Sequence, residues 1–218
     1  MTLRLAHRGD WRVAPENSLV ALVAGARAPR SDGVEFDVRI AADGVAVVIH
    51  DADLSRVQGV PHEVLALGSE ALGKHGVPTL AEVLAALPAK ALLDVELKVV
   101  PDRALAEVLL AARGPAPARA VVSAFDPDAL RVAGELLPGW RRWLNTPWLD
   151  EDVVTEALRL RCAGIAAEWR AITPATARSV HAAGLELAAW TVRRRPTVER
   201  LARLGVVAVC VEGAPLDR

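Results

Sequence analysis

Short apolar, β-branched runs alternate with stretches of helical periodicity along the whole chain. Runs at residues 3–6, 34–39, 45–49, 91–97, 120–124, 142–144, 164–167, 185–191 and 206–211 read as strands. Between them, helices are predicted at about 18–28, 80–86, 103–112, 127–136, 152–161, 174–183 and 196–204. Such alternation is the signature of a parallel sheet wrapped by helices. Helix boundaries carry their own chemistry. Thr79 before Leu80-Ala81-Glu82 forms a capping box, and Thr173-Pro174 and Arg195-Pro196 put proline at a first helical position. Gly114, Gly139, Gly184 and Gly205 stand near helix ends, where left-handed backbone is needed.

Nine strand segments are one more than an eight-stranded barrel uses, and the second and third are joined only by residues 40–44, too few for a helical crossover. Asp43-Gly44 instead predicts a two-residue hairpin turn. With that turn Ala42 faces Val45, Asp37 lies opposite His50, and Glu35 shares their face because side chains alternate with period two. The same period puts Asp94, Glu96 and Lys98 on one face, with Val95 and Leu97 on the other. In a barrel, charged residues at the carboxyl ends of strands gather at the mouth.

The length, 218 residues, suits one α/β barrel, and a single domain over residues 1–218 is expected, with a short insertion at about 52–78. Apolar residues make up 52% and charged residues 24%, enough for a large core and incompatible with disorder. A net charge of −1 without a long basic run excludes the electrostatic footprint of a nucleic-acid binder. Arg193-Arg194-Arg195 is the one basic cluster, read either as a solvated loop or as one facing an anion. Cys162 and Cys210 lack C-x-x-C spacing, which argues against a disulfide framework or a zinc site and for buried small apolar residues. A polar segment begins by residue 7, leaving no room for a signal peptide, and no apolar run nears the ~20 residues of a membrane span. A cytoplasmic protein without stable membrane insertion is the expectation; the oligomeric state is not legible.

Candidate chemistry concentrates in the first quarter, at His7-Arg8-Gly9, Glu35-Phe36-Asp37, Asp43-Gly44 and His50-Asp51. Carboxylates hold hard cations, arginine neutralises phosphate, and histidines move protons near neutral pH, so this set points to metal-assisted phosphoryl chemistry. Glu35, Asp37 and Glu96 offer oxygen ligands and no thiolate, which favours Mg²⁺ or Ca²⁺ over zinc. Three acidic residues alone are more often structural ion pairs. Here His7, Arg8, His50 and Lys98 fall at corresponding strand ends, which favours a site.

These motifs, with Pro15-Glu16-Asn17-Ser18, Glu96-x-Lys98, Ser123-x-Phe125 and Trp190-Thr191-Val192, occur in an order that resembles the signature of the glycerophosphodiester phosphodiesterase family over nearly the whole chain. The resemblance implies a variant TIM (β/α)₈ barrel with a β-hairpin in place of the second crossover helix. It implies hydrolysis of glycerophosphodiesters to an alcohol and sn-glycerol 3-phosphate with one divalent cation. By position, Glu35, Asp37 and Glu96 would be metal ligands, His7 and His50 the acid and base, Arg8 and Lys98 the phosphate holders, and Trp190 an apolar wall for the glycerol. Attack by the substrate's own 2-hydroxyl, through a cyclic phosphate, and attack by water both remain open. Two other readings stand beside it: a lysophospholipase D-like hydrolase of lipid diesters, and a noncatalytic phosphodiester-binding barrel.

The chain departs from the family pattern in three places. Val211-Glu212-Gly213-Ala214-Pro215 replaces Thr-Asp and a proline; the 52–78 segment, with Gly59, Gly68, Gly73 and Gly76, is short, predicting a reduced or mobile cover; and Arg193 replaces a small polar residue. Charge and position motivate the hypothesis that Arg193 and Arg194 attract an acidic head group or a second phosphate. His62, His75 and His181 are expected outside the chemistry. Asp51 either orients His50 or caps the next helix, and Pro15–Ser18 is read as a loop and cap bracing the His7 loop. Of six tryptophans, Trp140, Trp143 and Trp148 are expected to pack near one strand, while Trp169 packs or lines a pocket.

Overall fold

Period-two alternation decides which side chains point into the barrel. The computed structural model describes residues 2–217. Strand β1 (Leu3–His7) leads through helix α1 (Leu19–Arg27) to β2 (Gly33–Ile40) and β3 (Ala46–Val48). The short helices α2 (Ser55–Gln58) and α3 (Ser69–Lys74) precede α4 (Leu80–Ala86) and β4 (Leu92–Leu97). Strict alternation follows: α5 (Arg103–Arg113), β5 (Ala120–Ala124), α6 (Pro127–Leu136), β6 (Arg141–Thr146), α7 (Glu151–Arg159), β7 (Gly164–Glu168), α8 (Pro174–Ala182), β8 (Glu186–Val192), α9 (Arg195–Arg203) and β9 (Ala208–Val211). Every strand and helix read from the pattern is present, with ends displaced by no more than about two residues, the usual slack of element boundaries.

Parallel ladders join β1, β2, β4 and then β5 to β9 in order, and β9 pairs back with β1 to close an eight-stranded barrel. The ninth strand, β3, runs antiparallel on β2. The β1 ladder ends at Glu35, and β3 continues along β2 from there, with the Ile49 amide donating to the Asp37 carbonyl at 2.9 Å. A hairpin thus stands where a helix would otherwise follow β2, and α4 completes the crossover to β4.

The hairpin register differs from the expected one. Val38 pairs with Val48 and Ile40 with Ala46, so Ile49, not His50, lies across from Asp37. A two-residue type I′ turn needs positive φ at both central residues, but only Gly44 (φ 79°) has it. The chain instead forms a three-residue loop, 42–44, in which the Gly44 amide donates to the Ala41 carbonyl and the Ala41 amide to Val45. That is the type I turn followed by a left-handed glycine. The ladder stops at Val48, and His50 reaches the mouth from the loop beyond it.

Outward residues of the strands, such as Val34, Phe36 and Val38 in β2 and Leu93, Val95 and Leu97 in β4, lie in the main apolar core under the helices. Burial of each such side chain stabilises the fold by ~1.5–3 kcal/mol. The residues between them therefore point inward. Leu5, Leu92, Val121, Trp143 and Ala188 make an apolar floor inside the barrel, and charged groups occupy the carboxyl-terminal end above it. The 52–78 segment is anchored on an apolar cluster of its own, including Val47, Ile49, Leu54, Val64, Leu72 and Val77, rather than lying as a loose cover.

Gly9 fixes how β1 delivers His7 and Arg8. Its φ is 84°, and an added Cβ would lie 2.4 Å from the Ala21 carbonyl carbon of α1. Both the handedness and the contact exclude a side chain. We expect Gly9→Ala to destabilise the protein by more than about 2 kcal/mol, read as a lower urea midpoint with an unchanged slope.

Candidate active site

Ladder register brings the acidic residues together. Glu35 pairs with Asp94 and Asp37 with Glu96 across β2 and β4, and His7 pairs with Glu35 across β1 and β2. Carboxylate oxygens of Glu35, Asp37 and Glu96 lie within 4.8 Å of one another, all three residues buried. Glu35 Oε1 is buried without a hydrogen-bond donor among the described residues. An all-oxygen donor set with an orphaned buried carboxylate oxygen fits a hard divalent cation. The proposed ligands thus converge as the alternation predicts.

Burying these charges side by side is costly, and the neighbours show how it is met. Burial pushes Glu35 well above the usual carboxylate range, helped by Asp37 and Glu96. Burial and Asp37 raise Glu96 as well, outweighing the lowering effect of Lys98. Burial would also raise Asp37, but Lys98, Arg8, His50 and the Asn17 hydrogen bond outweigh it and hold Asp37 below the usual range. The Lys98 ammonium sits on Glu96 and 3.2 Å from Asp37 Oδ1; Arg8 Nε is 3.2 Å from Asp37 Oδ2. Deeper in the barrel, burial pushes Asp94 up to about 7 despite the Ser123 hydroxyl donating to it at 2.7 Å.

Each histidine is held by a carboxylate that is itself held by an arginine. His7 Nδ1 lies 2.7 Å from Glu212 Oε1, and Arg193 Nε donates to Glu212 Oε2 at 2.6 Å. Burial pushes Glu212 up, but the hydrogen bonds from His7 and Arg193 outweigh it and bring it down to about 2. An ionised carboxylate only accepts, so His7 Nδ1 carries the proton. His7 Nε2 then lies toward Glu35, 3.8 Å from Oε2. His50 repeats the arrangement: Nδ1 is 2.7 Å from Asp51 Oδ1, and Arg56 Nε donates to Asp51 Oδ2 at 2.6 Å. Burial would raise Asp51, but Arg56 and His50 hold it below the usual range. Burial lowers His50 itself, opposed by Asp37 and Asp51, which favours a neutral ring ready to accept a proton.

A cavity of about 150 Å³ is lined by both histidines, Arg8, Glu35, Glu96, Lys98 and Trp190. The Trp190 indole N–H donates to the Ala166 carbonyl at 2.8 Å, and its ring meets Phe125 edge-on at 5.4 Å, so a fixed aromatic wall bounds the cavity. Every candidate site residue named from the sequence lies in or beside this cavity. His62, His75 and His181 do not line it.

Several supporting residues were only partly legible. Asp51 orients His50, while Asp53 accepts the Ser55 amide that opens α2. In Pro15–Ser18, Ser18 caps α1, Glu16 bridges Arg8 and Arg56, and Asn17 reaches Asp37 Oδ2 at 2.8 Å, closer to the chemistry than a loop brace. Arg39, not singled out from the sequence, donates to the His50 carbonyl at 2.9 Å and anchors that loop; its inward parity beside Asp37 was the available signal. Glu212 was visible only as a departure from the family pattern. Trp140 and Trp143 are buried, but Trp148 is 60% exposed because β6 ends at Thr146 and Trp148 rides the loop beyond it.

Comparison with known proteins bears on the family and the fold. The model of the glycerophosphoryl diester phosphodiesterase family matches residues 7–213. The chain is 28% identical over 235 residues to a glycerophosphodiester phosphodiesterase of Caldanaerobacter subterraneus, covering 97% of this chain and 94% of that one. It resembles the crystal structure of a glycerophosphodiester phosphodiesterase from Agrobacterium tumefaciens with a TM-score of 0.83 at 23% identity, over 99% and 98% of the two chains. It also resembles an Oleispira antarctica phosphodiesterase solved with the product sn-glycerol-3-phosphate, with a TM-score of 0.81 at 25% identity over 97% and 93%.

Glu212 carries two expected outcomes. Glu212→Gln should lower kcat by about 10- to 100-fold, since the His7 ring loses the carboxylate that sets its tautomer. Glu212 is held at about 2 in the folded chain against an ordinary 4.5, so its contacts stabilise fully above pH 4.5 and are lost as pH falls toward 2. Urea unfolding should therefore show Glu212→Gln weaker than the parent at pH 6, with the gap narrowing by pH 2.5.

Proposed function

Because the chain belongs to the glycerophosphoryl diester phosphodiesterase family, whose model spans its residues 7–213, we propose that His7 and His50 perform the proton transfers of glycerophosphodiester hydrolysis beside a cation held by Glu35, Asp37 and Glu96. The enzyme is a phosphoric diester hydrolase, and its proposed products are an alcohol and sn-glycerol 3-phosphate. That product is the compound bound to the Oleispira antarctica phosphodiesterase. The reading is supported most directly by two imidazoles on one cavity, each with Nδ1 committed to a carboxylate.

When bound, a hard divalent cation, Mg²⁺ or Ca²⁺, supplies positive charge against the nonbridging phosphoryl oxygens. Arg8 and Lys98, both lining the cavity and each 3.2 Å from Asp37, add fixed positive charge where charge develops as the ester bond breaks. With both Nδ1 protons held by carboxylates, Nε2 is the atom that moves a proton on each ring. One histidine accepts from the attacking hydroxyl and the other donates to the leaving alkoxide, so a bell-shaped pH–rate curve follows. Trp190 packs an apolar face against the glycerol carbons. The proposed setting is the cytoplasm, with a water-soluble diester as substrate and one domain over residues 1–218. Among the described residues no helix is long and apolar enough to cross a membrane.

A second reading, cleavage of lysophospholipid diesters, draws on one feature. An apolar groove of about 450 Å³ adjoins the cavity at Phe125 and Asn145 and is bounded by Pro147 and the exposed Trp148. An acyl chain would need such a channel.

The direct assay is release of sn-glycerol 3-phosphate from a panel of glycerophosphodiesters, and of the acylated glycerol phosphate from lysophospholipids, with Mg²⁺ or Ca²⁺. We expect turnover that chelation abolishes and the cation restores, and kcat reduced by about 10²–10⁴-fold in His7→Ala, His50→Ala and Glu35→Ala. Binding of metal and diester with no turnover across the panel would instead identify a noncatalytic barrel.

A further inference from the structure

A second groove, of about 400 Å³, adjoins the catalytic cavity through Trp190 and Thr191, which line both. Its other walls include Trp169, Arg170, Arg193 and Arg194, with Glu168 the one acidic residue lining it among the described residues. Arg170 pairs with Glu168 at 2.7 Å and stacks on Trp169 with its guanidinium 4.2 Å from the ring centroid. Arg193 uses its Nε on Glu212. The Arg194 side chain has no hydrogen-bond or ion-pair partner among the described residues, so the groove carries positive charge that these residues do not compensate. The Arg170 and Arg193 side chains are about 70% exposed, which leaves most of their N–H donors available.

Helix stability does not account for this charge. Arg194 is the cap residue of α9 and Arg195 its first residue, at the positive end of the helix, where cations are unfavourable. The continuity of the groove with the cavity gives it a use. A diester whose phosphate lies between the two histidines must send its alcohol out of a cavity of about 150 Å³, and the exit past Trp190 runs onto arginine.

We propose that this groove binds a phosphate carried by the alcohol portion of the substrate, making diesters of phosphorylated polyols the preferred class. The proposal rests on the reading that the cavity between His7 and His50 holds the scissile diester. Guanidinium groups match the phosphate fork, and the Trp169 ring flanks the polyol carbons between the two phosphates.

The matched pair glycerophosphoinositol and glycerophosphoinositol 4-phosphate isolates the added phosphate. The parent enzyme should show kcat/KM about tenfold or more higher for the phosphorylated diester. In the Arg170→Ala/Arg194→Ala double variant that preference should fall to within about twofold, through KM, while kcat/KM for glycerophosphoinositol stays unchanged. Calorimetric binding of the same two diesters to His7→Ala, with and without the double substitution, should give the same preference independently of turnover. Equal affinities in the His7→Ala background, or equal loss of both diesters in the double variant, would overturn the proposal. Absence of turnover on both diesters would overturn the hydrolase reading, and the binding ratio would still judge the groove.

Discussion

Four carboxylates, Glu35, Asp37, Asp94 and Glu96, are buried on two neighbouring strands, and the architecture of the barrel mouth follows from keeping them there. A buried carboxylate without compensation costs several kcal/mol, and like charges in a poorly solvated site add to that. The protein answers each one differently. Asp37 stays ionised between Lys98 and Arg8, with Asn17 donating to it. Burial pushes Asp94 up to about 7 against the opposing hydrogen bond of the Ser123 hydroxyl. Glu35 is left with an oxygen that no group among the described residues satisfies, and Lys98 is shared between Asp37 and Glu96. A local excess of negative charge that the fold only partly neutralises is what a cation site requires.

The two histidines proposed to transfer protons extend this logic. A free imidazole presents either nitrogen, and fixing the tautomer requires an acceptor on the other side of the ring. Glu212 and Asp51 supply it, and Arg193 and Arg56 keep those carboxylates ionised. The Arg56 side further connects through Glu16 to Arg8, so the loops after β1 and β3 share one ion-pair network around Asp37. Loops that would otherwise move independently are thereby tied to the strands that carry the acidic cluster.

How much of this was legible depended on whether a residue's place follows from local periodicity. Glu35, Asp37, Asp94, Glu96 and Lys98 were legible because their strands alternate, and the apolar partners Val34, Phe36, Val95 and Leu97 admit one orientation only. His50 was placed in the right cavity by an incorrect register. A single residue added to the hairpin loop moves the whole ladder, and the difference between a two-residue and a three-residue turn lies in the φ of Asp43, to which an Asp-Gly pair is indifferent. Asp51 is readable as an orienting residue or a cap, and Asp53, two residues before α2 and accepting the Ser55 amide, separates the two.

The chain by itself determined the alternating strands and helices, the helix caps, the parity that turns acidic residues inward, and the ordered motifs that mark the family. All of these arise from interactions within a few residues, or from a pattern that each strand carries alone. The tertiary structure alone decided the contacts that closure of the barrel creates. Pairing of β9 with β1 brings Glu212 against His7 across 205 positions of sequence, and turns an apparent departure at Val211-Glu212 into the carboxylate that orients a histidine. It likewise set the arginine-walled groove beside Trp190, because neighbours across parallel strands are chosen by register and closure, which no local pattern encodes.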